Sequence, residues 1–298
     1  MEEPFPSKLQ VWNGRGAAVA QELPFVLSGR GLSGPHNPAE FADCLYAYEA
    51  LSPLAPAARS EEAAEPYTLQ WFLDIENQRH SRHGRWIPRL LEFAKHSGER
   101  LLGVGAGLGT DWLQYARHGA SVVVCSPSAE QLGLIRRNFE LRGLEGRFLH
   151  AAPTSLPVEP ASIDVACVSN LLHDGADPQA IVDEVYRVLK PGGKVLAVTA
   201  ARYDVDFWFH LYFPWKRWLT QGFRAPAADR TRFTGRGLRR LFGRFTEHRV
   251  YKRHLRRSEV PHVWRWLPQV LLERLMGRVL VVKAFKPLSA ALAVHLAA

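Results

Sequence analysis

The sequence predicts an α/β fold built on a doubly wound parallel sheet. Between Arg100 and Ala200, short apolar segments alternate with longer amphipathic ones, the pattern of strand–helix–strand units. The short segments are continuously apolar, as strands buried on both faces are. The first of them runs directly into a glycine-rich turn, LLGVGAGLGT at 101–110, and then into a helix. Right-handed crossovers convert such a series into a sheet covered on both sides.

The elements follow in order. Tyr67–His80 places Leu69, Phe72, Leu73 and Ile75 on one helical face. A second helix is expected over Trp86–His96, carrying Ile87, Leu90, Leu91 and Phe93. Arg100–Val104 is the first strand, followed by a helix at Thr110–His118 that Gly119 closes. Ser121–Cys125 is an apolar, β-branched strand, and Ala129–Arg142 a helix closed by Gly143. Gly146–His150 and Ile163–Ser169 are strands; Asp177–Leu189 is a helix with Ile181, Val182, Val185, Val188 and Leu189 on one side. The turn Pro191-Gly192-Gly193 leads into the strand Lys194–Ala200. Beyond it lies an aromatic, basic stretch, Arg202–Ala225. A helix capped by Thr234, a strand at Phe245–Leu255, a helix at Val263–Met276 and a strand at Arg278–Phe285 complete the chain. The two late strands lack a crossover helix pattern and suggest an antiparallel addition at the sheet edge. Residues 1–66 are punctuated by Gly, Pro and Ala, with a short helical candidate around Ala39–Ala50.

The chain has 298 residues, 47% hydrophobic and 22% charged, enough for a sizeable core. Its start, MEEPFPSKLQ, lacks the basic-then-apolar layout of a secretory signal. No apolar run approaches the roughly 20 residues of a membrane-spanning helix. Cys44, Cys125 and Cys167 have no metal-ligand spacing, so neither a metal nor a disulfide framework is expected. The expected location is the cytoplasm, with a peripheral place at a membrane as its variant.

The net charge of +9 is unevenly placed. From Arg202 to Arg278 there are 18 Lys and Arg against 6 Asp and Glu, whereas residues 1–201 hold 18 against 23. The basic region can steer an anionic substrate or meet a membrane surface. Nucleic acid is not the expected partner, because RRLFGR and KRHLRR are short runs broken by apolar residues and no recognition module accompanies them.

Glycines ahead of a helix let a ligand approach backbone N–H groups that have no partner in the helix. Here the spacing is Gly105-x-Gly107-x-Gly109, then Thr110 and Asp111. A dinucleotide fingerprint would put the third glycine one position later, so the turn fits a nucleoside cofactor in general.

Three stretches carry a more specific resemblance: LLGVGAGLGTDWLQYARHGASVVV, PTSLPVEPASIDVACVSNLLHD and DEVYRVLKPGGKVLAV. With them, residues 67–286 resemble the class I S-adenosylmethionine-dependent methyltransferases, in particular the type 11 domain group. The resemblance implies a Rossmann-like seven-stranded sheet, order 3-2-1-4-5-7-6, with strand 7 antiparallel. It divides the chain into an irregular or helical extension (1–66), a methyltransferase-like domain (67–286) and an apolar tail (287–298). The domain carries an aromatic, basic insert (202–233) and a helical insert (256–277). Its cofactor is S-adenosyl-L-methionine, placed across the carboxyl ends of strands 1, 2 and 4. Gly105, Ala106, Gly107 and Gly109 then face the methionine part, Ser126 the ribose, Ala152 and Pro153 the adenine, and Asn170 and Leu171 the sulfonium. His173 and Asp174 lie beside the methyl acceptor, with His173 as the base if the acceptor is protonated. Asp111 is placed to contact the cofactor ammonium, or simply favours its helix N-terminus.

Three acidic positions of the family are absent here, replaced by Gly103, Ser126 and Ala152. A hydrogen bond to a charged group contributes about 1.5–3 kcal/mol, so losing three would cost on the order of 5–9 kcal/mol if contacts were additive, which neighbouring ones are not. Two functions follow. One is methyl transfer to a small-molecule or lipid-like acceptor through a rebuilt pocket. The alternative is a non-catalytic, methyltransferase-like protein with a binding or scaffold role. The aromatic segment 207–223 is read as a lid over the acceptor, as core packing or as a membrane-surface contact.

Overall fold

The computed structural model describes residues 8–13, 17–22, 67–80, 84–105, 107–169, 177–212 and 232–288. Its nine strands are β1 (Lys8–Asn13), β2 (Ala17–Glu22), β3 (Arg100–Gly105), β4 (Ser121–Ser126), β5 (Arg147–His150), β6 (Ile163–Ser169), β7 (Leu189–Ala200), β8 (Thr246–Arg253) and β9 (Val279–Phe285). Their order is β2-β1-β5-β4-β3-β6-β7-β9-β8. The seven strands from β5 to β8 realise the expected order 3-2-1-4-5-7-6. β9 is the antiparallel strand, running against both β7 and β8. The chain forms two compact units, residues 1–82 with 93–157 and residues 83–92 with 158–298.

In the first unit, β4 lies between β3 and β5 and is parallel to both. The interior of β3 and β4 is apolar and buried, from Leu101 to Val104 and from Val122 to Cys125. Three main helices flank these strands: α1 (Leu69–His80), α3 (Thr110–Arg117) and α4 (Ala129–Glu140). Trp71, Phe72 and Ile75 of α1 pack against Leu108 of the glycine turn and Leu134 of α4. α4 starts where Ser128 accepts a hydrogen bond from the Gln131 N–H, the ordinary serine cap.

One departure lies at the N-terminus. The expected irregular or helical extension contains a hairpin, β1 antiparallel to β2. β1 joins β5 in parallel through Gln10↔Leu149 and Val11↔His150. A six-residue strand whose partner lies far along the chain leaves almost no local signal. The helical candidate Ala39–Ala50 falls outside the described residues.

The second unit holds β6, β7, β9 and β8. α5 (Pro178–Val188) begins with Asp177 as cap and Pro178 in its first turn, and buries Ile181, Val182, Val185 and Val188. β7 starts at Leu189 rather than after the Pro-Gly-Gly turn; the register with β6 shifts between Ile163 and Val165 and absorbs it. α6 (Val205–Tyr212) replaces the first part of the aromatic stretch, and α7 (Gly235–Leu241) takes Thr234 as its cap, as expected. α8 (Gln269–Met276) is shorter than the expected helix. Pro268 stands at its cap position, and the residue ahead of a proline is disfavoured in the helical region. Val205, Leu255, Val260, Leu272 and Met276 form a core here, with Trp208 and Trp264 against it.

The helix expected over Trp86–His96 is also broken. α2 (Trp86–Leu90) is followed by a separate turn, Phe93–Lys95. Between them Glu92 takes φ 58°. Its carboxylate receives Lys194 Nζ at 2.7 Å and Lys283 Nζ at 2.9 Å. Burial pushes the Glu92 acid up, but the two ammonium groups outweigh it and hold the pKa at about 2. An isolated segment cannot foresee two lysines, 102 and 191 residues away, that pin its backbone.

Because the folded Glu92 is more acidic than the unfolded one, its contribution to stability is full above about pH 4.3 and is lost as pH falls toward the folded value. Glu92→Gln should therefore flatten the acid limb of a denaturation profile, measured by chemical unfolding between neutral and acid pH. An acid limb unchanged in the variant would remove this assignment.

Candidate functional site

Three consecutive strand ends of the first unit carry the residues that the sequence singled out. β3 ends in Gly105 and passes through the glycine turn to α3. Gly107 has φ 127° and Gly109 φ 70°, both in the region that favours glycine. A Cβ on Gly109 would also stand 2.7 Å from the Ile135 side chain. β4 ends in Ser126, fully buried. The Ser126 hydroxyl accepts a hydrogen bond from the Ser128 N–H at 3.3 Å. β5 ends in His150, whose Nε2 lies 2.9 Å from the Pro127 carbonyl. Ala152 follows exposed and Pro153 buried. Parallel strands that end side by side place these turns along one edge, the position where open α/β sheets bind ligands.

Ala106, Asn170, Leu171, His173 and Asp174 lie outside the described residues.

Asp111, in the first turn of α3, meets partners that the sequence did not suggest. Arg79 Nε donates to its Oδ1 at 2.7 Å, and Arg79 Nη2 to its Oδ2 at 2.5 Å. His80 Nε2 stands 3.1 Å from Oδ1. Both Asp111 and Arg79 are about 96% buried, at 4% exposure each. Burial alone would raise the acid, but the Arg79 guanidinium, and then His80, hold it well below the usual carboxylate range. The fork of Arg79 thus ties α1 to the start of α3, a bidentate geometry only arginine supplies. The expectation that Asp111 pairs with a ligand ammonium meets a carboxylate with both oxygens engaged by protein.

Gly103 has an equally specific reason. The indole of Trp112 lies against it, and a Cβ there would stand 2.7–2.9 Å from three ring atoms. Trp112 therefore occupies the space in which an acidic side chain on β3 would begin. Its Nε1–H is buried and has no acceptor among the described residues. In the same region the Gly107 N–H donates to Gln131 Oε1 at 3.3 Å. Trp112, Gln131, Arg79 and His80 were not legible as site residues, because their roles depend on contacts across 9 to 32 positions or more of chain.

The geometry fits a nucleoside cofactor of low acidic demand. Backbone N–H groups and glycines line the first turn, and a buried hydroxyl ends the second strand. The exposed backbone at Ala152 ends the third. Such a set can hydrogen-bond hydroxyls and a carboxylate. Among the described residues no cluster of three or more His, Cys, Asp or Glu is placed to hold a metal ion.

Comparison with known proteins agrees with this layout. Residues 102–197 match the methyltransferase domain family. The resemblance to the type 11 group, read from the three sequence stretches, is thereby borne out. A demethylmenaquinone methyltransferase of Clavibacter sepedonicus is 39% identical over 101 residues, 34% of this chain and 40% of that protein. A ubiquinone biosynthesis O-methyltransferase of Paraburkholderia phymatum is 30% identical over 150 residues, 47% of this chain and 65% of that protein. The chain spans 40% to 53% of the length of the first relatives it matches. The fold is also that of a geranyl diphosphate C-methyltransferase from Streptomyces coelicolor, with TM-score 0.50 at 14% identity over 85% of this chain and 100% of that one.

Two outcomes are expected. Asp111→Asn leaves Arg79 buried without its countercharge and should cost about 3–5 kcal/mol, read by chemical denaturation. The wild-type contribution of Asp111 is present above about pH 4 and declines as pH falls below it, since its folded pKa is the lower one. Gly103→Asp should cost about 1–3 kcal/mol by overpacking against Trp112. In a Trp112→Leu background that cost should shrink by at least about 0.5 kcal/mol; a cost independent of residue 112 would show that the indole is not the obstacle.

Proposed function

We propose that this protein transfers a methyl group from S-adenosyl-L-methionine to a small, lipid-like acceptor that carries a ring. The observation that carries the reading is the alignment of three strand ends, Gly105–Gly109, Ser126 and Ala152–Pro153, in a domain matched to methyltransferases. Gly105, Ala106, Gly107 and Gly109 hold the methionine part, and Ser126 the ribose. Ala152 and Pro153 flank the adenine, with Asn170 and Leu171 beneath the sulfonium. One relative is named a demethylmenaquinone methyltransferase and another a ubiquinone biosynthesis O-methyltransferase, which supports an acceptor of ring-bearing, lipid-like type. The non-catalytic alternative finds no support among these relatives, which are named as methyltransferases.

When bound, the cofactor supplies an activated methyl group on a sulfonium. The chain's part is to hold cofactor and acceptor in line and to keep water out, which accounts for most of the acceleration that such a displacement needs. His173 takes the acceptor proton, and Asp174 is the second catalytic candidate beside the acceptor. The missing acidic contacts are replaced by neutral groups: the backbone of the glycine turn and the Ser126 hydroxyl. Asp111 serves the site through Arg79, by fixing the start of α3.

A membrane-surface contact through 207–223, and a peripheral location, belong to the same reading. In the described part, Leu211 and Tyr212 are more than half exposed at the end of α6. Trp266 and Val270 are 78% and 71% exposed. Among the described residues no helix is long and apolar enough to cross a membrane.

Calorimetric titration with S-adenosylmethionine and S-adenosylhomocysteine tests the reading. Saturable binding is expected, weakened about tenfold by Ser126→Ala, the equivalent of one lost bond of about 1.4 kcal/mol. With a demethylated quinol as acceptor, His173→Ala should slow transfer and leave cofactor affinity unchanged. No binding of either cofactor form at millimolar concentration would defeat the proposal.

A further inference from the structure

The second unit contains a cavity of about 500 Å³ lined by Arg85, Trp86, Arg89, Leu90 and Arg253. Its size is that of a small-ligand site. Arg85 directly precedes α2, and Arg89 follows four positions later in its last turn, so the two side chains share a helical face. Arg253 is the last residue of β8. Three guanidinium groups therefore converge on one opening.

These charges are poorly compensated. Arg85 and Arg89 make no ion pair with any described residue. The carboxylate nearest Arg253 is that of Glu273, at 3.7 Å. Glu92, next on the same segment, is already shared by Lys194 and Lys283, so it offers nothing to the arginines. The Trp86 Nε1–H is buried and has no acceptor among the described residues. Like charges held together without a counterion destabilise one another; an anion with several oxygens relieves this. Guanidinium groups match phosphate oxygens in pairs. Trp86 and Leu90 supply an apolar wall for whatever the phosphate is attached to.

We propose that this cavity binds a phosphate- or diphosphate-bearing ligand. Arg85, Arg89 and Arg253 grip the oxygens, and Trp86 and Leu90 flank the organic part. None of these residues belongs to the cofactor set, so the site stands or falls independently of methyl transfer.

The test is calorimetry of inorganic pyrophosphate against the full chain, without cofactor and at low salt. Saturable one-to-one binding is expected, weakened at least about tenfold by the double variant Arg85→Gln/Arg89→Gln. Both side chains are exposed, so the variant should fold, which a thermal melt verifies. Arg239→Gln/Arg240→Gln on α7, also exposed, serves as a charge-matched control and should bind as the parent does. In a second arm, the protein is floated with phosphatidylcholine vesicles containing phosphatidic acid. Capture that the Arg85/Arg89 variant loses, and that pyrophosphate displaces, identifies a lipid headgroup as the source. Pyrophosphate binding without capture identifies a soluble one. Absence of saturable binding in both arms, parental binding by the Arg85/Arg89 variant, or an equal loss in the control pair would each overturn the proposal.

Discussion

The buried pair of Arg79 and Asp111 is the constraint on which the site depends. Asp111 sits in the first turn of α3, directly after the glycine turn. A carboxylate at this depth is tolerated only when it is paired and hydrogen-bonded, and the bidentate fork of Arg79 does both. The pair locks α1 to the helix start, while Trp71, Phe72 and Ile75 seal Leu108 of the turn beneath it. The glycine turn is therefore held from two sides, by charge and by apolar packing. A buried pair adds little net stability over a hydrophobic substitute; what it adds here is a defined position.

The same turn shows how a pocket can shed acidic side chains and stay filled. Gly103 is not an empty place on β3 but the floor under the Trp112 indole. Residue size at 103 and at 112 is thus one choice rather than two. Ser126 keeps its hydroxyl within the β4–α4 turn, where Ser128 caps the following helix. Neutral polar groups cost less to bury than unpaired carboxylates.

In the second unit the logic is reversed: positive charge accumulates faster than it is matched. Over residues 202–212 and 232–278, fourteen Lys and Arg stand against five Asp and Glu. Some of the acids are committed to internal ties. Asp206 pairs with Arg278, Asp204 caps α6 and pairs with Arg232, and Glu259 receives Arg278. Burial raises the Asp204 acid against the pull of its arginines. The surplus surfaces where no acid reaches, as it does around Arg85 and Arg89. Excess charge of this kind attracts anions of whatever size the surface admits.

The sequence by itself determined the strand–helix alternation, the glycine turn with its nucleoside-cofactor character, and the antiparallel last strand. Each rests on local periodicity or on a residue with no side chain, and both are written within a dozen positions. The helix cap at Thr234 is local in the same sense. Only the tertiary structure decided that Asp111 belongs to Arg79 and that Gly103 belongs to Trp112. It alone showed that Glu92 breaks a helix to reach two lysines, and that the N-terminal segment adds a hairpin beside β5. Those outcomes depend on which charges and volumes meet after folding, and pairing across long stretches of chain leaves no periodic trace along it.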